Sequence, residues 1–309
     1  MGVAVQIELE KVTPLRFDDG SPVRAASAVA SFGSGWLIAQ DDATHGAWWV
    51  DGAVTPVRLL PPVEGLDVFD SASGTKHLKP DLEAASEVRI DDEKTVLLLG
   101  SGSASERMRA SLMRLDQGTP TSTVIDLTSL YARVAGLLGV ELEELNMEGA
   151  CVVGSSLRWF QRGLPQAGLP TASVDLDLST LVAAVAHGAD VSAVEVSHPR
   201  TYDLGEVHGV GLAVTDAVCL GGESLLVSSA AEDTPNPRDD GPVVGSALAS
   251  IENGEVRDMA PLPYVDEEPP KVEGLSVLEH DGTTARVLAT VDADDPGAPS
   301  LAVHLHVRW

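Results

Sequence analysis

The segment from Asn146 to Gly163, NMEGACVVGSSLRWFQRG, contains an acidic opening motif, a short apolar run, a glycine turn and a second apolar run that ends in polar residues. Two apolar runs joined by a tight turn are typical of a β-hairpin. The same succession recurs at intervals of roughly 55 to 70 residues, and such self-similarity is the mark of a repeat architecture. The opening motifs of the five repeats begin at Arg24, Lys79, Asn146, His208 and Lys271.

Further strands follow the hairpin in most repeats. A third strand is predicted in all five, at residues 47–50, 111–115, 173–176, 246–251 and 301–307. A fourth is predicted in three of them, at residues 55–60, 123–127 and 256–260. Four strands per repeat are typical of a propeller blade. We therefore predict an all-β fold in which residues 1–309 form a single β-propeller of five blades, with six blades as the alternative.

The two ends of the chain fit this interpretation. The last repeat has only three predicted strands, whereas residues 3–12 form an extra strand before the first repeat. If the N-terminal strand completes the final blade, the ring has no open edge. Apolar residues at helical spacing in segments 127–145 and 178–187 predict short helical insertions near the third blade.

Composition restricts the partners. The formal net charge is −27 at pH 7, and such a field repels nucleic-acid phosphates and anionic lipids. We therefore expect neither nucleic acid nor membrane as a partner, but a small-molecule substrate, either anionic or an ester. The N-terminal residues alternate between apolar and polar types and lack the pattern of a signal peptide, so we expect a cytoplasmic protein.

The polar motifs of all repeats are expected to gather at one mouth of the central channel, where the innermost strand of each blade starts and the second strand ends. Alignment of the repeats places Ser27, Glu83, Glu148, Val210 and Glu273 at equivalent positions. Three like charges in a small space need compensation. A divalent cation, a retained proton or pairing with nearby lysines and arginines would each provide it.

An alternative role for these glutamates is structural, because they could accept hydrogen bonds from backbone amides of the next blade. Under the functional interpretation, Ca²⁺ or Mg²⁺ is held by oxygen ligands. Its predicted ligands are Asp81, Glu83, Glu148 and Glu273. The candidate catalytic residues are Glu148, Arg162, and, as general bases in an acidic loop, Glu232, Asp233 and Asp240. The candidate substrate-binding residues are Arg24, Lys79, Ser101, Ser103 and Lys271.

Several of these motifs, in the same order, resemble those of uncharacterised bacterial propellers related to the "esterase-like activity of phytase" group. The motifs are Lys79–Ala84, Leu99–Ser103, Asn146–Ala150 with Gln161–Gly163, and Ala231–Thr234 with Asp239–Gly241. The resemblance implies the propeller fold and, nominally, phosphoester hydrolysis. The chain departs from the group at Val210, where a glutamate is expected, and its first residues lack the pattern expected of an export signal.

These observations predict a hydrolase that acts on a small phosphorylated or ester substrate at the acidic mouth with the help of a divalent cation. The alternative is a propeller without catalytic activity that binds a ligand or a protein at the same face.

Overall fold

The computed structural model describes residues 5–234, 241–295 and 297–309 and contains five four-stranded antiparallel sheets. The first strand of the chain is β1 (Gln6–Pro14). Blade 1 follows, with β2 (Ala26–Phe32), β3 (Gly35–Gln40), β4 (His45–Val50) and β5 (Ala53–Arg58). Blade 2 consists of β6 (Leu82–Ile90), β7 (Glu93–Gly100), β8 (Arg109–Asp116) and β9 (Thr119–Asp126).

Blade 3 consists of β10 (Met147–Val153), β11 (Ser156–Gln161), β12 (Thr171–Asp177) and β13 (Val196–Tyr202). A two-stranded hairpin, β14 (Glu206–Val207) and β15 (Val210–Gly211), precedes blade 4. Blade 4 consists of β16 (Ala213–Gly221), β17 (Ser224–Glu232), β18 (Val243–Glu252) and β19 (Glu255–Pro261). Blade 5 consists of β20 (Lys271–His280), β21 (Thr284–Asp292), β22 (Leu301–Arg308) and β1. The prediction of an all-β propeller with five blades is confirmed.

Closure of the ring by the N-terminal strand is confirmed as well. Strand β1 pairs antiparallel with β22 from Gln6 opposite Arg308 to Pro14 opposite Leu301. This pairing gives blade 5 its fourth strand, and the first and last segments of the chain share one sheet.

Both predicted helices are present near blade 3. Helix α1 (Thr128–Leu138) connects blades 2 and 3, and helix α2 (Leu178–His187) lies between the third and fourth strands of blade 3. On α1, the Tyr131 ring contacts Trp159 edge-on at 4.8 Å between ring centroids, and its hydroxyl donates a 2.5 Å hydrogen bond to the Gly100 carbonyl. Helix α1 therefore holds the end of β7 in place. Within the described residues, no helix combines the length and apolar character needed to cross a membrane.

Each innermost strand carries a bulge near its start, where one extra residue interrupts the pairing with the second strand. The register places Ser27, Glu83, Glu148, Thr215 and Glu273 at these bulges. A bulge re-aims the side chain of its extra residue. The predicted equivalence of Val210 is wrong, because Val210 pairs with Val207 in the hairpin β14–β15 and Thr215 takes the equivalent position in blade 4.

The bulges explain why glycine follows glutamate in two repeats. A Cβ atom on Gly149 would lie 2.6 Å from the Asp216 Cα atom in blade 4, and one on Gly274 would lie 2.8 Å from the Val29 nitrogen in blade 1. Both distances are far below van der Waals contact. Glycine is thus required where the innermost strands of adjacent blades approach most closely.

Candidate functional site

A polar cavity of about 70 Å³ lies at the channel end where the innermost strands begin; this cavity is called the mouth. Its lining includes Glu83, Glu148 and Glu273, here called the bulge glutamates, which come from blades 2, 3 and 5. The other charged lining residues are Asp41, Lys76, Lys79, Asp81, Arg107, Arg162, Lys271 and Asp292. The structure thus brings the three glutamates together, as the repeat pattern predicts.

One group of charges, the Asp81 cluster, comes from blade 2 and the segment that leads into it. Oδ1 of Asp81 lies 2.8 Å from the Lys79 ammonium, and Oδ2 lies 2.9 Å from Arg107 Nη1. The hydroxyls of Ser101 and Ser103 also donate hydrogen bonds to Asp81. Burial alone would raise the pKa of Asp81, but the two cations and the hydroxyls outweigh it and lower the pKa. Asp81 is therefore ionised at neutral pH.

A second group, the Glu232 cluster, joins blades 3, 4 and 5. Glu232 Oε1 lies 2.8 Å from Arg162 Nη2 and 3.3 Å from the Lys271 ammonium. Arg162 also reaches Glu148 at 3.1 Å, and Lys271 also reaches Glu273 at 3.2 Å. Burial would raise the pKa of Glu232, yet Arg162 and Lys271 lower it on balance. Each cluster therefore contains one ionised carboxylate held between a lysine and an arginine.

The bulge glutamates behave in the opposite way. Burial, aided by the nearby Glu273 and Glu232, raises the pKa of Glu148 to about 8 despite the opposing charge of Arg162. Burial likewise raises the pKa of Glu273 to about 7 against Lys271 and Arg162, and it raises that of Glu83 beside Asp81 and Asp41. Carboxyl groups whose pKa values are pushed apart in one cavity divide naturally into proton donors and acceptors.

Glu148 is held through only one of its oxygens. Oε1 accepts hydrogen bonds from Asn146 Nδ2 at 2.9 Å and from Arg162 Nη1 at 3.1 Å. Oε2 is buried and has no hydrogen-bond partner within the part of the chain that the structure describes. The residue is only 3% exposed. Burial of an oxygen without a hydrogen bond costs much more free energy in a charged carboxylate than in a neutral carboxylic acid.

The blades are locked together by other side chains. Ser27 Oγ donates a 2.5 Å hydrogen bond to the Leu82 carbonyl of blade 2, and Thr215 Oγ1 donates a 2.5 Å bond to the Val272 carbonyl of blade 5. Asp216 Oδ2 accepts a 2.6 Å hydrogen bond from the Leu275 amide. The structural alternative predicted from the sequence is that a backbone amide of the next blade donates a hydrogen bond to the glutamates. Asp216 accepts such a bond. Glu148 and Glu273 instead contact charged or amide side chains.

The remaining predicted site residues are placed as follows. Ser103 lines the mouth, whereas Ser101 is completely buried beneath Asp81. Arg24 lies outside the mouth and pairs with Asp42 at 2.5 Å. Asp233 is exposed and does not line the mouth, and Asp240 lies outside the described residues.

Besides Ser27, the predicted site residues leave out five polar or charged residues that line the mouth. They are Asp41, Lys76, Arg107, Asn146 and Asp292. Asp41 and Asp292 belong to polar clusters at the ends of second strands. Because these ends are expected at the mouth, their position in the repeat could have identified them as lining residues. The sequence did not show which member of each cluster turns inward.

Acidic groups near Lys79 can also hold a metal ion. Among the described residues, Asp41, Asp81 and Glu83 place one carboxylate oxygen each within 4.8 Å of one another. Asp81 and Glu83 are two of the predicted ligands, and Glu148 and Glu273 lie on the same cavity but outside this group. The Lys79 ammonium contacts Asp41 and Asp81, so it occupies part of the space that an ion would need.

These features define a five-bladed propeller with a charged, largely neutralised mouth. The chain belongs to the family described as "Family of unknown function (DUF6910)", whose profile matches residues 75–296, well over half of the sequence. No curated protein matches the chain. The resemblance to phytase-like propellers stays a prediction.

Several solved structures are similar in fold. Glutaminyl cyclase from Myxococcus xanthus is 10% identical over 97% of each chain, with a TM-score of 0.49. The catalytic domain of the GH62 α-L-arabinofuranosidase from Coprinopsis cinerea is 10% identical over 96% of this chain and 95% of its own, also with a TM-score of 0.49. A Dyadobacter fermentans protein of unknown function is 12% identical over 98% and 99%, with a TM-score of 0.46. Similarity at this level carries no argument about activity.

Proposed function

We propose that the mouth is the active site of a hydrolase that cleaves a small ester by general acid–base catalysis. One observation carries the proposal: Glu148 is buried at the mouth, its Oε1 is held by Arg162 and Asn146, and its Oε2 has no partner within the described chain. A carboxyl group fixed in this way and protonated near neutral pH is suited to donate a proton.

Glu273 is the general base of this proposal. It lines the same cavity, and its pKa of about 7 lets it be ionised while Glu148, with a pKa of about 8, keeps its proton. Glu232 suits the role less well, because it lies behind Arg162 and Lys271 and does not line the mouth. Glu232 instead positions these two cations.

The reaction follows from these roles. Glu273 accepts a proton from water as the water oxygen forms a bond to the ester carbonyl carbon. The π electrons of the carbonyl move onto its oxygen to give a tetrahedral oxyanion, which re-forms the carbonyl in the next step. As the bond between that carbon and the leaving oxygen breaks, Glu148 transfers its proton to the leaving oxygen. The products are a carboxylic acid and an alcohol, and a second proton transfer restores both glutamates.

The substrate proposed here is an uncharged ester rather than a phosphoester. Lys79 and Arg162 each contact two carboxylates, and Lys271 contacts three. These cations are therefore already engaged by acidic side chains and are not free to bind an anionic substrate. This choice departs from the phosphoester hydrolysis that the resemblance to phytase-like propellers implies.

A divalent cation is a second candidate for the mouth, favoured by the three close oxygens of Asp41, Asp81 and Glu83. Carboxylate ligands suit Mg²⁺ or Ca²⁺. An ion at this position would have to displace the Lys79 ammonium from Asp41 and Asp81. It would supply positive charge beside the bulge glutamates.

The test is hydrolysis of ethyl acetate by the full chain and by two variants, because an alkoxide leaving group, unlike 4-nitrophenolate, must be protonated as it departs. Glu148→Gln retains an acceptor for Arg162 but cannot transfer a proton, so kcat should fall by about 10² to 10⁴. Glu87→Gln is the matched control, because Glu87 lies on the same type of strand at the opposite end of the channel. Equal turnover by wild type and Glu148→Gln, or no turnover above background, would refute the proposal.

The pH profile provides a second readout. The base must be ionised and the acid protonated, so kcat/KM should rise through a pH of about 7 and fall through about 8. A rate that keeps rising with pH above 9 would indicate hydroxide attack in place of the glutamate pair.

A further inference from the structure

The mouth is too small to contain a whole substrate. Its volume is about 70 Å³. Sites for small organic molecules usually have volumes of roughly 300–1,000 Å³. A ligand whose reacting bond lies at the mouth must therefore extend into neighbouring space.

One larger cavity adjoins the mouth, and a second adjoins the first. The first, the rim cavity, has a volume of about 500 Å³ and shares Asp41, Lys79 and Lys271 with the mouth. The second, the blade-1 cavity, has a volume of about 620 Å³ and shares Arg24 and Asp42 with the rim cavity. The rim cavity therefore lies between the mouth and the blade-1 cavity and shares wall residues with each of them.

The blade-1 cavity is less polar than the mouth. Its apolar walls come from Phe17, Pro22, Ala43, Pro56 and Val68. The His45 ring lies 5.9 Å from the Phe17 ring between centroids, and burial lowers the pKa of His45, so the imidazole is neutral at pH 7.

The charges of the blade-1 cavity disfavour an anionic occupant. Its cation Arg24 is paired with Asp42, and two further carboxylates, Asp18 and Asp19, line it. An acidic or phosphorylated group would meet the Arg24–Asp42 ion pair and two further negative charges. An uncharged apolar group would instead cover surface that is now open to water, including Val68, which is 41% exposed.

We propose that the blade-1 cavity binds the apolar acyl chain of the ester whose carbonyl reaches the mouth. The inference rests on the proposed function and specifies its substrate class as esters whose acyl chain is of medium length and carries no charge. The Arg24–Asp42 pair lies at the junction of the rim and blade-1 cavities.

The experiment compares two esters and two variants of the full chain. Val68→Arg places a long charged side chain in the blade-1 cavity. Leu66→Arg is the matched control, because Leu66 is 40% exposed in the same connection but does not line the cavity. We expect wild type and Leu66→Arg to prefer 4-nitrophenyl octanoate over the acetate by at least tenfold in kcat/KM. Val68→Arg should lose this preference.

Binding separates a failure of this inference from a failure of the proposed function. Octanamide and acetamide are titrated calorimetrically, since neither requires ester hydrolysis. Tighter binding of octanamide that Val68→Arg abolishes supports the cavity as an acyl site even if no ester is cleaved. A chain-length preference that is absent in wild type, or that survives Val68→Arg, overturns the inference even if Glu148-dependent hydrolysis is found.

Discussion

Arg162 holds Glu148 at one side only: its Nη1 atom lies 3.1 Å from Oε1, and Oε2 is left without a hydrogen bond from the described residues. The guanidinium therefore orients the carboxyl group without fully compensating its charge. Burial then prevails, and the pKa rises to about 8.

The raised pKa of Glu148 predicts how stability depends on pH. Its pKa is about 8 in the folded state and about 4.5 in the unfolded chain, so the folded protein binds the proton more tightly. The stabilisation from this proton is complete below pH 4.5 and is lost as the pH rises through 8. Glu148→Gln should therefore reduce the loss of unfolding free energy between pH 5 and 8, as measured by urea denaturation. Parallel curves for wild type and variant would contradict the assigned pKa.

Replacement of Arg162 should be much more damaging than replacement of a surface arginine. Arg162→Met leaves the buried carboxyl groups of Glu148 and Glu232 without their shared partner. Removal of one member of a buried ion pair costs about 3–5 kcal/mol. Arg257→Met is the control, because Arg257 pairs with exposed glutamates, and its unfolding free energy should change by less than about 0.5 kcal/mol. Similar small losses in both variants would show that Glu148 and Glu232 find other compensation.

Loss of the Thr215 hydrogen bond between blades 4 and 5 should lower the unfolding free energy by less than the loss of Arg162. Thr215→Val keeps the shape of the side chain but removes the donor to the Val272 carbonyl, which stays buried. The unfolding free energy should fall by about 1–3 kcal/mol. Thr123→Val on the exposed strand β9 should be nearly neutral. Equal melting temperatures of the two variants would mean that water or another donor satisfies the carbonyl.

Most of the fold is predictable from the repeats because each hairpin has its own turn and apolar runs. Blade 4 was misaligned because its bulge residue is Thr215 instead of a glutamate, and because the hairpin around Val210 imitates an opening motif. Strand β13 was missed since helix α2 separates it from β12 and its sequence contains Pro199. The β-strand propensities of its residues are weak evidence for an outer strand that is as polar as β13.

The site is predictable to a lesser degree. The repeat pattern identifies Glu83, Glu148 and Glu273, because these occupy one position in the repeat. The partner of Arg162 could not be read from sequence, since Glu232 comes from a second strand of the next blade. Whether a cation is free to bind substrate depends on such pairs, and only the structure shows them.

Two glycine-to-alanine substitutions should change stability in opposite directions. A Cβ on Gly149 would meet the backbone of Asp216 and Ala217 at 2.6–2.7 Å, so Gly149→Ala must push blades 3 and 4 apart. Overpacking of this kind costs about 1–3 kcal/mol, and more where the backbone must move. Gly136 in helix α1 has open space around it, so Gly136→Ala should add about 0.5–1 kcal/mol. If Gly149→Ala is tolerated without loss, the close approach of the two strands is not required for stability.

A divalent cation should stabilise the protein if it binds between Asp41, Asp81 and Glu83. After treatment with a chelator, Mg²⁺ or Ca²⁺ at 100 times its dissociation constant should add about 2.7 kcal/mol to the unfolding free energy, because it binds only the folded state. Glu83→Gln removes one of the three close carboxylates and should abolish the shift, whereas Glu87→Gln on the same strand should preserve it. A shift of equal size in both variants would place the ion elsewhere. No shift with either ion would mean that the Lys79 ammonium, which already contacts Asp41 and Asp81, is the only cation these carboxylates need.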